Sequence, residues 1–214
     1  FDQVSFSYEI NQPILENISF KIKEGEHWAV VGPSGIGKST FVNLIMCLYR
    51  PKEGKIFFGS KDSSLYNVKS MRRKIGYVPQ KTELYSGTIL DNFKIVDSTI
   101  ELKKVETVCK IADISEFIES LPNKYDTILD ELGSNLSEGQ KQRISIARAL
   151  LRDPDVFVFD EPTASLDNTT ENHIYALLSD RLKGKTIFTV THKLSTIENI
   201  GKVIFFIDHT LFLM

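Results

Sequence analysis

A chain of 214 residues is long enough for one large domain with a real core. Hydrophobic residues make up 42% and charged residues 25%, which excludes a disordered chain, and a formal net charge of −2 gives no reason to expect nucleic acid as a partner. No apolar run approaches the roughly 18 residues of a bilayer-spanning helix, and no signal peptide is visible. Cys47 and Cys109 fall in apolar helical patterns and are expected as buried thiols of a reducing compartment, not as a disulfide or metal site. The chain opens at Phe1 in mid-pattern, so a piece of a longer protein is expected.

Val4, Phe6 and Tyr8 alternate with serines, and Ile18, Phe20 and Ile22 alternate with Ser19, Lys21 and Lys23. That period of two predicts two half-buried antiparallel strands. His27-Trp28-Ala29-Val30-Val31 is a continuous apolar run and predicts a buried strand. It leads into Gly32-Pro33-Ser34-Gly35-Ile36-Gly37-Lys38-Ser39-Thr40, after which Phe41 to Met46 take up helical spacing. Strand, loop and helix in that order are the context that G-x-x-x-x-G-K-[ST] requires of a phosphate-binding loop. Glycines let backbone N–H groups turn inward around a phosphate chain, and the positive end of the helix faces the same anion. Lys38 is expected to reach the β- and γ-phosphates, and Ser39 to offer its hydroxyl to Mg²⁺. A glycine-rich turn without a ligand is the bland alternative, and the context disfavours it.

A third strand is predicted at Lys55-Ile56-Phe57-Phe58, and a short helix within 63–74 ahead of the strand Ile75-Gly76-Tyr77-Val78. From about 88 to 121 the apolar residues fall at helical spacing, until Pro122-Asn123 interrupts them and a loop runs to about Asn135. Ser137 with Gln140 forms a capping box that opens a helix, with Ile144, Ala147, Leu150 and Leu151 on its apolar face. Asp153-Pro154-Asp155 ends it. Val156-Phe157-Val158-Phe159 reads as a strand buried on both faces. A helix over about 168–182, a strand at 186–190, a second capping box at Ser195 and Glu198, and a last strand at 203–207 complete the chain. Strands alternating with helices predict an α/β fold with a parallel core sheet.

Asp160-Glu161 stands at the carboxyl end of the 156–159 strand, where open α/β sheets bind ligands. One acid can hold Mg²⁺ and the second can accept a proton from an attacking water. Two acids at a strand–helix junction are weak on their own, and gain weight after an independent phosphate loop.

The chain resembles the nucleotide-binding domain of an ABC transporter. Leu136-Ser137-Glu138-Gly139-Gln140 is similar to the family signature LSGGQ, and Lys141-Gln142-Arg143 follow it. Phosphate loop, Gln80, signature, Asp160-Glu161, Ser165-Leu166-Asp167 and His192 occur in the family order over nearly the whole chain. The resemblance implies a P-loop NTPase with a RecA-like core, an N-terminal antiparallel β subdomain and an inserted α-helical subdomain. The core would be 1–81 with 154–214, and the helical part 82–153.

The resemblance also implies roles. Gly32 to Thr40 would hold the nucleotide, and Tyr8 would stack on adenine. Ser39, Gln80 and Asp160 would hold Mg²⁺. Glu161 would be the catalytic carboxylate, with His192 on the γ-phosphate and Gln80 sensing the membrane partner. Ser137, Gly139 and Gln140 would contact ATP bound to a second copy, and Asp167 would couple the two sites. His27, His173 and His209 match no motif. ATP with Mg²⁺, a second nucleotide-binding domain and a transmembrane domain are the implied cofactors and partners, at the cytoplasmic face of a membrane.

Tyr77-Val78-Pro79-Gln80, then Gly87-Thr88-Ile89 with Asn92, and Asp130-Glu131-Leu132-Gly133 before the signature resemble exporter-type domains. Two features depart from the family pattern. Glu138 replaces a signature glycine and puts a negative charge near an anion site, unfavourable unless it points away. The end lacks a glycine at His209-Thr210-Leu211, where a turn is usual, so a truncated or diverged terminus is expected. A soluble ABC-type ATPase, a degenerate nucleotide-responsive module, and a P-loop kinase or GTPase are the rival readings. The first would carry long insertions, the second would lack Glu161 or His192, and the third would lack the signature.

Overall fold

The computed structural model describes residues 1–162, 178 and 181–214. Ser165, Leu166, Asp167, His173 and most of the helix expected over 168–182 lie outside the described residues. Contacts divide the chain into two compact units: Phe1–Ile75 with Asp155–Val158 and Gly184–Met214, and Gly76–Pro154 with Phe159–Lys183.

In the first unit β1 (Asp2–Ser7) pairs antiparallel with β2 (Pro13–Ile18), and its other edge pairs with β4 (Glu53–Lys55). The second predicted strand is displaced. The regular strand ends at Ile18; Phe20 still exchanges backbone hydrogen bonds with Phe1 at 3.1 and 3.0 Å, and Ile22 lies beyond them. The buried residues of β2 are Leu15 and Ile18, three apart, because the pairing register shifts and Asn17 turns to φ 45°. A bulge of this kind defeats a period-two reading. The third predicted strand is two pieces, β4 and β5 (Phe57–Phe58), on either side of the buried Ile56. β5 forms a small hairpin with β6 (Lys61–Asp62).

A six-stranded sheet has the order β13-β12-β3-β11-β10-β7. Here β3 is His27–Val31, β7 Ile75–Val78, β10 Val156–Asp160, β11 Thr186–Val190, β12 Val203–Ile207 and β13 Thr210–Leu213. β3 is parallel to both β11 and β12. β7 and β10 each begin in the first unit and end in the second. The sequence pattern stops at β12; the structure adds β13, antiparallel to it, with Ile207 opposite Thr210. The turn needs no glycine because Asp208 and His209 themselves take φ 42° and 65°, the left-handed pair of a tight hairpin turn.

Helix α1 (Lys38–Ile45) is fixed by the fully buried Phe41. The rings of Phe1, Phe20, Phe188 and Phe206 surround it at centroid distances of 5.4, 5.9, 5.8 and 5.5 Å. Burying one such ring is worth roughly 2–3 kcal/mol, enough to hold the start of the helix at the end of β3. Cys47 lies past α1 rather than within it, half-buried at φ 53°. Arg72 of α2 (Val68–Arg73) donates to the carbonyls of Met46 and Cys47 at 3.4 and 2.9 Å and so closes the end of α1. α7 (Leu194–Ile200) is capped at Lys193 without a side-chain bond, so the capping box expected at Ser195 and Glu198 does not form. Ser195 sits inside the first turn because the helix starts one residue before it.

In the second unit α4 (Leu102–Ile111) packs on α6 (Glu138–Leu150), with α3 (Ile89–Lys94) and α5 (Ser115–Ser120) beside α4. Ile89, Phe93, Val105, Cys109, Ile114, Ile118 and Ile144 are fully buried and form its core. Two strands too short for any periodicity, β8 (Gly87–Thr88) and β9 (Ile128–Leu129), pair antiparallel. Among the described residues no helix is long and apolar enough to cross a membrane.

Candidate nucleotide site

The loop from Gly32 to Thr40 bridges β3 and α1 within the first unit. Its glycines are conformational necessities. Gly32 and Gly37 have φ 151° and 116°, and a Cβ would approach Phe206 and Ile14 to 2.9 Å. α1 starts at Gly37 with no side-chain cap and no acid in its first turn. A helix end of that kind offers N–H groups and positive potential to an anion. Lys38 is 8% exposed, and its Nζ donates to the carbonyls of Gly32 and Pro33 at 2.8 Å each, holding the loop closed on itself. Ser39 is exposed on the same turn, and Thr40 is buried. These residues fit a polyphosphate.

β11 lies beside β3 and runs parallel to it, and the Thr191 N–H donates to the Val30 carbonyl at 3.2 Å. His192 therefore leaves the sheet at the end where the phosphate loop leaves it, and it is exposed. Tyr8 stands just past β1, half-exposed, with its hydroxyl 3.2 Å from Thr40 Oγ1.

The acidic residues belong to the second unit. Asp160 ends β10, and Tyr77 donates its hydroxyl to Asp160 Oδ2 at 3.4 Å. Burial, then the neighbouring carboxylate, pushes the Tyr77 phenol up to about 12, so it stays a donor. Glu161 follows at φ 48°, a left-handed conformation that costs a non-glycine residue energy. Gln80 Nε2 donates to Glu161 Oε2 at 2.5 Å. Among the described residues no group of three His, Cys, Asp or Glu side chains is placed to hold a metal. Mg²⁺ shared with phosphates needs only one or two protein oxygens, and within the first unit the exposed Ser39 hydroxyl in the first turn of α1 is of that kind.

Ser137 caps α6 as expected. Its Oγ accepts from the Gln140 N–H at 3.3 Å, while Gln140 Oε1 accepts from the Ser137 N–H at 2.8 Å. Gly139 lies in that first turn. The charge of Glu138 is met locally, since Lys141 Nζ lies 2.8 Å from its carboxylate.

Sequence reasoning passed over three residues that hold this apparatus. Gln142, 3% exposed on α6, accepts from the Thr82 hydroxyl at 2.9 Å and donates to the Pro79 carbonyl at 3.2 Å. It thereby ties the segment bearing Gln80 to the helix that begins with the signature. Arg148 of the same helix donates to the Glu83 carbonyl at 3.1 Å, and its guanidinium lies over the Tyr85 ring. Arg143 donates to the Asp113 carbonyl at 2.8 Å. The available signal was polarity on an otherwise apolar helix face. The Gly-Thr-Ile-x-x-Asn pattern also has a physical account. Thr88 caps α3 in a box with Asp91, and buried Asn92 bonds Tyr85 on both its N–H and its carbonyl.

The sequence pattern of the ABC transporter family matches residues 15–164. An uncharacterised ABC transporter ATP-binding protein, YfiC, of Bacillus subtilis is 38% identical over 95% of this chain and 34% of its own length. The mitochondrial iron-sulfur clusters transporter ABCB7 of Homo sapiens is 39% identical over 95% of this chain and 27% of its own length. A solved bacterial Atm1-family ABC exporter with ATP bound superposes with a TM-score of 0.94 at 36% identity, covering 99% of this chain and 37% of that one. The chain thus spans about a third or less of the relatives it matches. Its fold is that of ABC ATPases, mixed α/β with a parallel sheet and an antiparallel β subdomain. With the phosphate loop, the capped signature helix and these matches agreeing, the chain belongs to the ABC transporter family, as an ATP-binding ATPase domain homologous to those of exporter-type transporters.

Proposed function

We propose that this domain hydrolyses ATP to ADP and phosphate in order to drive export by a transmembrane domain at the cytoplasmic face of a membrane. The backbone of Gly32 to Thr40 and the Lys38 ammonium bind the phosphates, and Tyr8 carries the adenine. Ser39, Gln80 and Asp160 would hold Mg²⁺, and the ion would neutralise phosphate charge. Glu161 takes a proton from the attacking water as its oxygen bonds the γ-phosphorus. The bond to the β-phosphate oxygen breaks, and ADP leaves. His192 steadies the γ-phosphate. The protein's part is positioning and charge stabilisation.

In this reading Ser137, Gly139 and Gln140 serve ATP held by a second copy of the domain, and Asp167 couples the two sites. Residues 82–153 form the helical subdomain that meets the membrane partner. The observation that carries the catalytic assignment is the Gln80–Glu161 contact at 2.5 Å, which supports a carboxylate aimed by a dedicated partner.

The test is Glu161→Gln, with phosphate release and sizing in ATP and Mg²⁺. Turnover should fall at least about 100-fold, ATP should still bind, and a dimer should persist. A monomer with ordinary turnover would overturn the proposal.

A further inference from the structure

Within the first unit, Tyr8 sits in a cluster of aromatic rings. Its ring is 48% exposed, yet it is held at three points. Its hydroxyl is 3.2 Å from Oγ1 of Thr40, a residue only 4% exposed at the start of α1. Phe6 stands edge-to-face with it, with centroids 5.1 Å apart and planes at 89°. Tyr49, just past α1, does the same at 5.3 Å and 83°. Phe6, 5% exposed, also packs against Tyr49 at 5.5 Å, so the three rings form one cluster rooted in the core.

Edge-to-face pairs are attractive because the positive ring edge meets the negative ring face. A half-exposed phenol would ordinarily sample several rotamers. Here two ring contacts and one hydrogen bond select one of them before any ligand arrives. Pre-ordering a contact surface removes a cost that binding would otherwise bear. Of the three constraints, Thr40 lies in the first turn of α1 and Tyr49 in the segment that follows the helix. The helix that follows the phosphate loop therefore also sets where the ring stands.

We propose that Thr40 and Tyr49 are positioning residues that lock the Tyr8 ring as a platform for the base of ATP, at a fixed offset from the phosphate loop. This rests on the reading of Tyr8 as the adenine contact.

The experiment is calorimetric titration of ATP and, separately, inorganic tripolyphosphate, into the chain and its variants in Mg²⁺. Tyr8→Phe and Thr40→Val each remove one partner of the hydrogen bond and should weaken ATP binding roughly 3–10-fold. The double variant should be no weaker than the worse single one, since both changes delete the same bond. Tyr49→Ala should weaken ATP about 2–10-fold through the lost ring pair. Thr40→Ser keeps the hydroxyl and should restore affinity. Tripolyphosphate has no base, and its affinity for the Tyr8→Phe and Tyr49→Ala proteins should move less than about twofold, which a general loosening of the fold would not allow.

Unchanged ATP affinity in Tyr8→Phe and Thr40→Val would overturn the positioning role, as would additive losses or an equal loss for tripolyphosphate in Tyr8→Phe and Tyr49→Ala. Tyr8→Ala separates the two levels. If it leaves ATP affinity intact, the base contact itself is wrong and the positioning role falls with it. If it weakens ATP while the hydroxyl deletions do not, only the positioning role falls.

Discussion

Replacing Gln142 with methionine tests how the Gln80 segment is held. The substitution keeps length and approximate volume and removes both polar ends. It deletes the bond from the Thr82 hydroxyl at 2.9 Å and the bond to the Pro79 carbonyl at 3.2 Å. Gln142 and Thr82 are 3% and 6% exposed, so water does not readily replace either bond. Each net bond is worth about 1 kcal/mol, and a buried group left without a partner costs about 1–3 kcal/mol. The expected loss is roughly 2–4 kcal/mol, read from urea unfolding followed by far-UV circular dichroism. Removing the second partner as well should recover part of it, so Gln142→Met with Thr82→Val should destabilise less than the sum of the single changes. ATP turnover should fall in Gln142→Met although Gln142 is not proposed to touch the nucleotide, because residues 79–82 lose their tether. A loss below about 0.5 kcal/mol, or strict additivity of the two changes, would refute this account.

Four further outcomes are expected. His27 is half-buried with Nε2 2.8 Å from Thr189 Oγ1, and burial holds its imidazole down at about 4. The unfolded chain therefore takes up a proton near pH 6.5 that the folded chain refuses until about pH 4, so stability falls as pH drops through that window. The loss reaches at most about 2 kcal/mol by pH 5, and His27→Gln should flatten the curve. Glu26 works in a lower window. Lys202, the Lys23 N–H and Trp28 all donate to its carboxylate and hold it at about 2, so its support is complete above the usual carboxylate range and disappears as pH falls toward 2. Lys141→Met leaves the Glu138 charge uncompensated and should raise the ATP needed to dimerise the Glu161→Gln protein, while adding Glu138→Gly should reverse that rise; dimerisation indifferent to Lys141 would contradict it. His209→Gly should stabilise the chain by about 0.5–1 kcal/mol, because glycine takes the φ of 65° there without a Cβ penalty; a lower unfolding midpoint would contradict this.

The phosphate loop was legible because its constraints are local. A strand end, glycines at positive φ and a helix start all fall within a few residues of each other. The Ser137–Gln140 box was legible for the same reason, since a donor and an acceptor three residues apart meet whenever a helix begins there. Ser195 and Glu198 offered the same spacing and failed, because the start of α7 is set at Lys193 and not by that pair. The displaced end of β2 was not legible. Its bulge answers the register of β1, which no window on residues 13–23 contains. β8 and β9 were invisible because two residues carry no period.

What the sequence alone determined was the chemistry available: a phosphate loop, a capped signature helix, paired acids after a buried strand, and through them the family. What only the tertiary structure decided was which of those groups hold one another. Gln80 and Glu161 are separated by 81 positions, Gln142 and Thr82 by 60, and Tyr8 and Thr40 by 32. Contacts at such separations depend on how strands register and helices pack. The left-handed backbone of Glu161 persists only because the surrounding fold compensates its cost. Neither is a property of any short stretch, so side-chain chemistry could be read along the chain, while its aim had to come from packing.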